Sequence, residues 1–165
     1  MQNNLKIIIF ETKNFTLEIH PEPFVSRTDG GHLRIFPKDK SRITDRTKFT
    51  PAEAIEFIRL SMIAGEALQL AMNEQGIPVV KINYEELGNW AFKRGEQPVF
   101  HLHIFGRAQN AKDQVFPEAV QLPDRSTGFY DNFEPLNDND IEIIQKHIQK
   151  ILTTQKFSES NWHLD

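Results

Sequence analysis

The chain has 165 residues and a formal net charge of −4, with acidic and basic side chains interspersed, so the broad cationic face of a nucleic-acid binder is not expected. It contains no cysteine, which excludes disulfides, thiolate catalysis and zinc-thiolate sites; any metal would have to be held by His, Asp or Glu. The longest apolar run, Ile7-Ile8-Ile9-Phe10, is far short of the roughly 20 residues that span a bilayer, and Met1-Gln2-Asn3-Asn4 lacks the charged and apolar regions of a signal peptide. The expectation is one cytoplasmic domain, without a membrane or nucleic-acid partner.

Apolar alternation predicts strands near Leu5–Phe10, Phe15–His20 and His32–Phe36, punctuated by Pro21, Pro23 and the pair Gly30-Gly31. The polar stretch from Lys38 to Phe49 reads as a connection, and the basic residues between Arg34 and Lys48 as part of a solvated surface. A helix then begins at Thr50 as N-cap, with Pro51 at the first helical position and Glu53 completing a capping box. Phe57, Leu60, Ala64, Ala67, Leu68 and Ala71 form one stripe, widened by Met62 and Ile63, and Gly76 ends the helix after Gln75. Such a helix should lie across a sheet.

A strand from Ile77 to Tyr84 follows, then a segment from Tyr84 to Glu96 that combines Trp90 and Phe92 with Lys93 and Arg94. Exposed loops hold few large aromatics, so packing of Trp90 and Phe92 on the domain is favoured, with Lys93 and Arg94 as candidate contacts to a polyphosphate. From Gln109 to Leu136 the chain is rich in Pro, Gly and aromatics and reads as an irregular wrap. Asn137 then caps an amphipathic helix carrying Ile141, Ile144, Ile148 and Ile151.

The segment that carries chemistry is Val99–Phe105. Phe100, Leu102 and Ile104 alternate with His101, His103 and Phe105, so a strand here puts an apolar row on one face and two imidazoles side by side on the other. Gly106 is expected to end the strand, with Arg107 as the nearest cation for a phosphate. Neutral imidazole can be a nucleophile, a general base or a metal ligand, and spacing alone leaves these open.

The run Gln97-Pro98-Val99-Phe100-His101-Leu102-His103 and the run Gly31-His32-Leu33-Arg34-Ile35-Phe36-Pro37-Lys38 resemble the two signature strands of the histidine triad (HIT) family of nucleotide hydrolases and transferases. The order strand, long helix, strand ending at Asn83, loop and histidine strand is also similar. The likeness covers about residues 14 to 108 and departs in three ways: Phe105 stands where the third histidine would be, Pro98 where Ser or Thr is usual, and the stretch between Asn83 and Gln97 is longer than the family's Gly-rich connection. The related galactose-1-phosphate uridylyltransferases also lack the third histidine.

The resemblance implies an α+β fold, an antiparallel sheet with the long helix across it and an additional C-terminal helix, the extension from about 109 to 165 packing on the same domain. It implies a metal-independent, cofactor-free enzyme that cleaves a dinucleoside polyphosphate or a nucleoside monophosphate conjugate at the α-phosphate through a nucleotidyl-histidine. His103 would then be the nucleophile and His101 the residue orienting it. Gln97 and Asn83 match polar family positions at the phosphates, His32 matches the upstream histidine that approaches the triad and is a candidate substrate contact, and a homodimer is the usual assembly. Loss of the third histidine implies slow turnover, or a substitute donor such as Arg107. Phe24 or Ile19 would form the nucleoside slot, and Glu22 and Asp29 are the nearby carboxylates for a ribose. Two other readings stand beside this one. His101 and His103 could hold a metal with His32, His20 or a glutamate, or the chain could be a nucleotide-binding module that has lost catalysis.

Overall fold

The computed structural model describes residues 7–164, so the first part of the predicted Leu5–Phe10 strand lies outside the described residues. Five strands, β1 (Ile8–Glu11), β2 (Phe15–Ile19), β3 (His32–Pro37), β4 (Val79–Glu86) and β5 (Leu102–Ala108), form one antiparallel sheet in the order β1-β2-β3-β5-β4. Helix α1 spans Pro51–Glu74 and begins in the capping box read from the sequence, with Thr50 Oγ1 accepting from the Glu53 N–H and the Glu53 carboxylate accepting from the Thr50 N–H. Gly76, at φ +80°, lets the chain leave the helix in a left-handed turn.

The period-two alternation divides the sheet. Leu17, Ile19, Leu33, Ile35, Leu102 and Ile104 point to one face and are buried under Leu60, Ile63, Ala64, Ala67 and Leu68 of α1. Helix α3 (Asp138–Leu152), capped by a second box formed by Asn137 and Asp140, adds Ile141, Ile144, Ile148 and Ile151 to the same core. It also reaches β1, where the Gln145 amide donates to the carbonyl of Ile9. No helix among the described residues is long and apolar enough to cross a membrane.

The opposite face of the sheet carries Glu18 and His20 after one another along β2 and its end, His32, Arg34 and Phe36 on β3, and His103, Phe105 and Arg107 on β5. It is covered by the one-turn helix α2 (Asn89–Lys93) and by the segment 109–136, which wraps irregularly as expected, with a single 3-10 turn at Arg125–Thr127. A second apolar cluster, Phe24, Val25, Phe105 and Tyr130, seals the wrap to the sheet.

Several boundaries differ from the sequence reading: β4 begins at Val79 and not Ile77, and β5 begins at Leu102 and not Val99, so that His101 immediately precedes the strand. Strand β4 continues past Tyr84 to Glu86, absorbing the start of the predicted loop. Strand β5 does not end at Gly106 but runs through Arg107 to Ala108. Gly106 is needed for another reason: its backbone lies against that of Gly30, and a Cβ on either residue would fall inside the carbonyl of the other. The glycine admits a close chain approach and does not break the strand.

Candidate functional site

Four imidazoles converge between the wrap and the sheet. His32 Nε2 lies 2.8 Å from His103 Nδ1. The ring centres of His20 and His32 are 4.7 Å apart, and those of His101 and His103 are also 4.7 Å apart. His32 and His103 are 1% and 2% exposed, whereas His101 is half-buried. His20, His101 and His103 line a cleft of about 550 Å³ together with Phe24, Phe36, Trp90, Gln97, Arg34 and Arg125.

Burial disfavours the charged form of each ring and the neighbouring charges add to it. His103 is lowered to about 2, first by burial and then by His101, His20 and Arg34. His20 is lowered to about 3, by burial and then by Arg34 and Arg125. Burial, followed by His103, holds His32 well below its ordinary value, and burial also lowers His101. All four are therefore neutral at pH 7, each with one N–H and one lone pair.

Their partners fix which nitrogen carries the proton. The Phe24 N–H donates to His32 Nδ1 at 3.1 Å, so His32 has its proton on Nε2 and donates to His103 Nδ1. The Glu22 N–H donates to His20 Nδ1 at 3.1 Å. His101 Nδ1 is placed oppositely, 2.9 Å from the carbonyl of Val99, and donates to it.

The cations at this cleft are only in part the ones expected: Arg94 is there, but Arg107 is not. Arg107 is 2% exposed; its guanidinium donates to Asn83 Oδ1 at 2.9 Å and to the carbonyls of Gln114, Val115 and Glu118, so it clamps the wrap to the sheet and does not line the cleft. Asn83 is occupied by the same clamp. Arg34 and Arg125 face the cleft instead. Arg34 Nε is buried without a protein partner, and its terminal nitrogen is 3.8 Å from Glu18. Arg125 lies over the rings of Phe24 and Tyr130, 4.6 and 5.1 Å from their centres, and donates to the carbonyl of Glu22.

Arg34 was legible in principle: it is two residues after His32, hence on the same strand face. Arg125 carries no local signal, because only the path of the wrap brings it there. Among the other expected contacts, Gln97 and Arg94 reach the cleft rim, while Lys93 turns away to Asp124 at 3.0 Å. Trp90 is packed edge-on against Phe24 at 5.8 Å, but Phe92 is 71% exposed, contrary to the expected packing, because α2 is a single turn with only one side against the domain. Ile19 is fully buried in the main core, so of the two expected slot residues only Phe24 reaches the cleft, where Phe36 and Trp90 join it. Of the two carboxylates, Glu22 lines the cleft and Asp29 is consumed by the backbone of the wrap. Among the described residues no three His, Asp or Glu side chains gather in an arrangement that would hold a metal ion.

Phe105 is fully buried, 4.6 Å from the His32 ring and stacked on His103 at 5.6 Å. It is a packing residue behind the imidazoles, not a vacancy at the cleft. Phe105→His is therefore expected to destabilise the fold by about 2–4 kcal/mol, since an imidazole there finds no second polar partner. Chemical denaturation should show that loss without any gain in turnover; a faster, equally stable variant would put position 105 at the reacting atoms.

Several solved structures share this architecture. A histidine triad protein from Bradyrhizobium japonicum superposes with a TM-score of 0.59 at 16% identity, over 86% of this chain and 90% of its own. A hypothetical histidine triad nucleotide-binding protein from Sulfolobus tokodaii gives 0.56 at 13% identity, over 88% of this chain and 85% of its own. A zinc-bound histidine triad family protein from Mycobacterium smegmatis gives 0.54 at 19% identity, again over 88% and 85%. No protein-family profile and no curated protein sequence matches the chain. The fold is that of the histidine triad proteins.

Proposed function

We propose that the cleft binds a nucleotide and that the protein is a nucleotide hydrolase or transferase, acting at the α-phosphate of a dinucleoside polyphosphate or a nucleoside monophosphate conjugate through a covalent nucleotidyl-imidazole. The observation that carries this reading is the set of neutral imidazoles sharing one cleft with Arg34 and Arg125. Neutral rings supply lone pairs and N–H donors to phosphorus and its oxygens, and the guanidiniums balance phosphate charge. The guanidinium of Arg34, at the cleft wall, is the charge nearest the imidazoles for a phosphate. Gln97 and Arg94 stand at the rim for the group beyond the α-phosphate, and the base would lie against Phe24 and Trp90. By position in the motif the attacking residue would be His103.

The test is a panel of dinucleoside polyphosphates and nucleoside phosphoramidates with product analysis, run with and without rigorous chelation. Release of a nucleoside monophosphate that survives chelation supports the proposal. Activity lost on chelation and restored by a divalent cation would instead make the imidazoles ligands, as in the metal reading. Binding is checked separately by Trp90 emission, which AMP is expected to change in the wild type but not in Trp90→Phe, where only Trp162 remains. Binding without turnover of any compound would identify a nucleotide-binding module that has lost catalysis.

A further inference from the structure

We propose that the attacking atom is Nε2 of His101, and that His103 acts as a hydrogen-bond donor to the phosphate oxygens. The assignment rests on the nucleotidyl-transfer reading and replaces the residue that motif position alone would choose.

A neutral imidazole attacks only through its lone pair. The lone pair of His103 is on Nδ1, where it accepts the His32 Nε2–H at 2.8 Å. Its cleft-facing Nε2 therefore carries the proton. Reversing that tautomer would set two N–H groups against each other unless His32 also moved its proton to Nδ1, and that nitrogen already accepts the Phe24 N–H at 3.1 Å. A backbone amide cannot tautomerise. The chain of rings is thus anchored in one direction, and the Glu22 N–H anchors His20 in the same way, leaving its Nε2 as a donor.

His101 is anchored in the opposite sense. The carbonyl of Val99 can only accept, so it holds the His101 proton on Nδ1 at 2.9 Å and leaves the lone pair on Nε2, which has no hydrogen-bond partner among the described residues. The plane of the ring is fixed by stacking on Phe36, 5.1 Å away and inclined by 15°. His101 is also the more accessible of the pair. Of the four clustered rings, it alone offers an uncommitted lone pair.

In the first step Nε2 of His101 forms a bond to the α-phosphorus and the bond from phosphorus to the leaving oxygen breaks, its electron pair departing with that oxygen. A phosphate leaving group is a stable anion and needs no proton. The N–H groups of His103 and His20 are placed to donate to the phosphate oxygens as charge redistributes, a task for which Phe105 has no group. In the second step a water oxygen bonds to phosphorus, the P–N bond returns its pair to Nε2, one water proton leaves to solvent and the product phosphate keeps the other.

Two measurements test the assignment. In the wild-type protein with ¹⁵N-labelled histidine, NMR is expected to show the proton on Nδ1 of His101 and on Nε2 of His103, and the reverse pattern would overturn it without any variant being made. Rapid quenching with α-³²P-labelled diadenosine tetraphosphate, whose leaving group is a phosphate, should place the label on His101. His101→Ala is expected to lower turnover about 10⁴-fold, as loss of a nucleophile does. His103→Gln, which keeps an acceptor for His32, is expected to lower it about 100-fold with the label still on His101. Label on His103 would overturn the assignment while leaving nucleotidyl transfer intact. Expected tautomers with no label and no turnover would instead reject the nucleotidyl-transfer reading, and the covalent role of His101 with it.

Discussion

Between pH 7 and pH 5 the folded state is expected to lose about 6 kcal/mol of stability, a large part of the roughly 5–15 kcal/mol that typically holds a single domain together. The loss comes from the imidazole cluster. His20 and His103 are held at about 3 and about 2, His32 is well below its ordinary value, and His101 is lowered, each chiefly by burial. In the unfolded chain all four titrate near the ordinary 6.5. Below that pH the unfolded state binds more protons than the folded one, so stability rises with pH and is complete only above about 6.5. Each strongly depressed histidine contributes about 2 kcal/mol to the fall between pH 7 and 5. Urea midpoints measured across this range should drop steeply, with a linked uptake of about three protons from His20, His32 and His103, and His20→Phe should remove close to one of them. A midpoint unchanged from pH 7 to 5 would mean that the rings are hydrated and titrate freely, and the fixed tautomers would fall with it.

The same cluster shows where a sequence stops being readable. Thr50 with Glu53, Asn137 with Asp140, and the apolar rows of β3 and β5 declare themselves because each signal and its partner lie within a few residues. The placement of His101, His103 and His32 on one sheet face follows from strand alternation together with the pairing of β3 and β5, where His32 stands opposite Phe105 and Arg34 opposite His103. Arg107 was misread because a cation beside a histidine motif looks available, whereas its charge is spent on carbonyls 7 to 11 residues later. His20 fell at the end of its predicted strand before Pro21, with nothing local to show that its ring meets His32. Even the assignment of nucleophile turns on two backbone groups, the Phe24 N–H and the Val99 carbonyl, whose positions no side-chain pattern encodes.

Removing the Asp29 carboxylate is expected to cost about 3–5 kcal/mol and to open the cleft, although Asp29 does not line it. The side chain is 1% exposed and accepts the backbone N–H groups of Lys112, Asp113 and Gln114 at 2.9, 2.9 and 2.8 Å. Those bonds start a relay. The Gln114 amide nitrogen donates to the carbonyls of Phe24 and Gln121, its oxygen accepts the Gln121 N–H, and Arg107 holds the neighbouring carbonyls. The relay sets the path that delivers Leu122 and Arg125 to the cleft wall. Asp29→Ala leaves three N–H donors without their acceptor, and Asp29→Asn turns an amide N–H toward the same donors, so both should lower the urea midpoint, alanine more. Weaker AMP binding, read from Trp90 emission under conditions where the variant remains folded, should accompany the loss, because Arg125 and the Phe24 wall lose their support together. If Asp29→Ala unfolds within about 1 kcal/mol of the wild type, the wrap is held by the packing of Phe129, Tyr130 and Phe133 alone, and the polar relay only follows it.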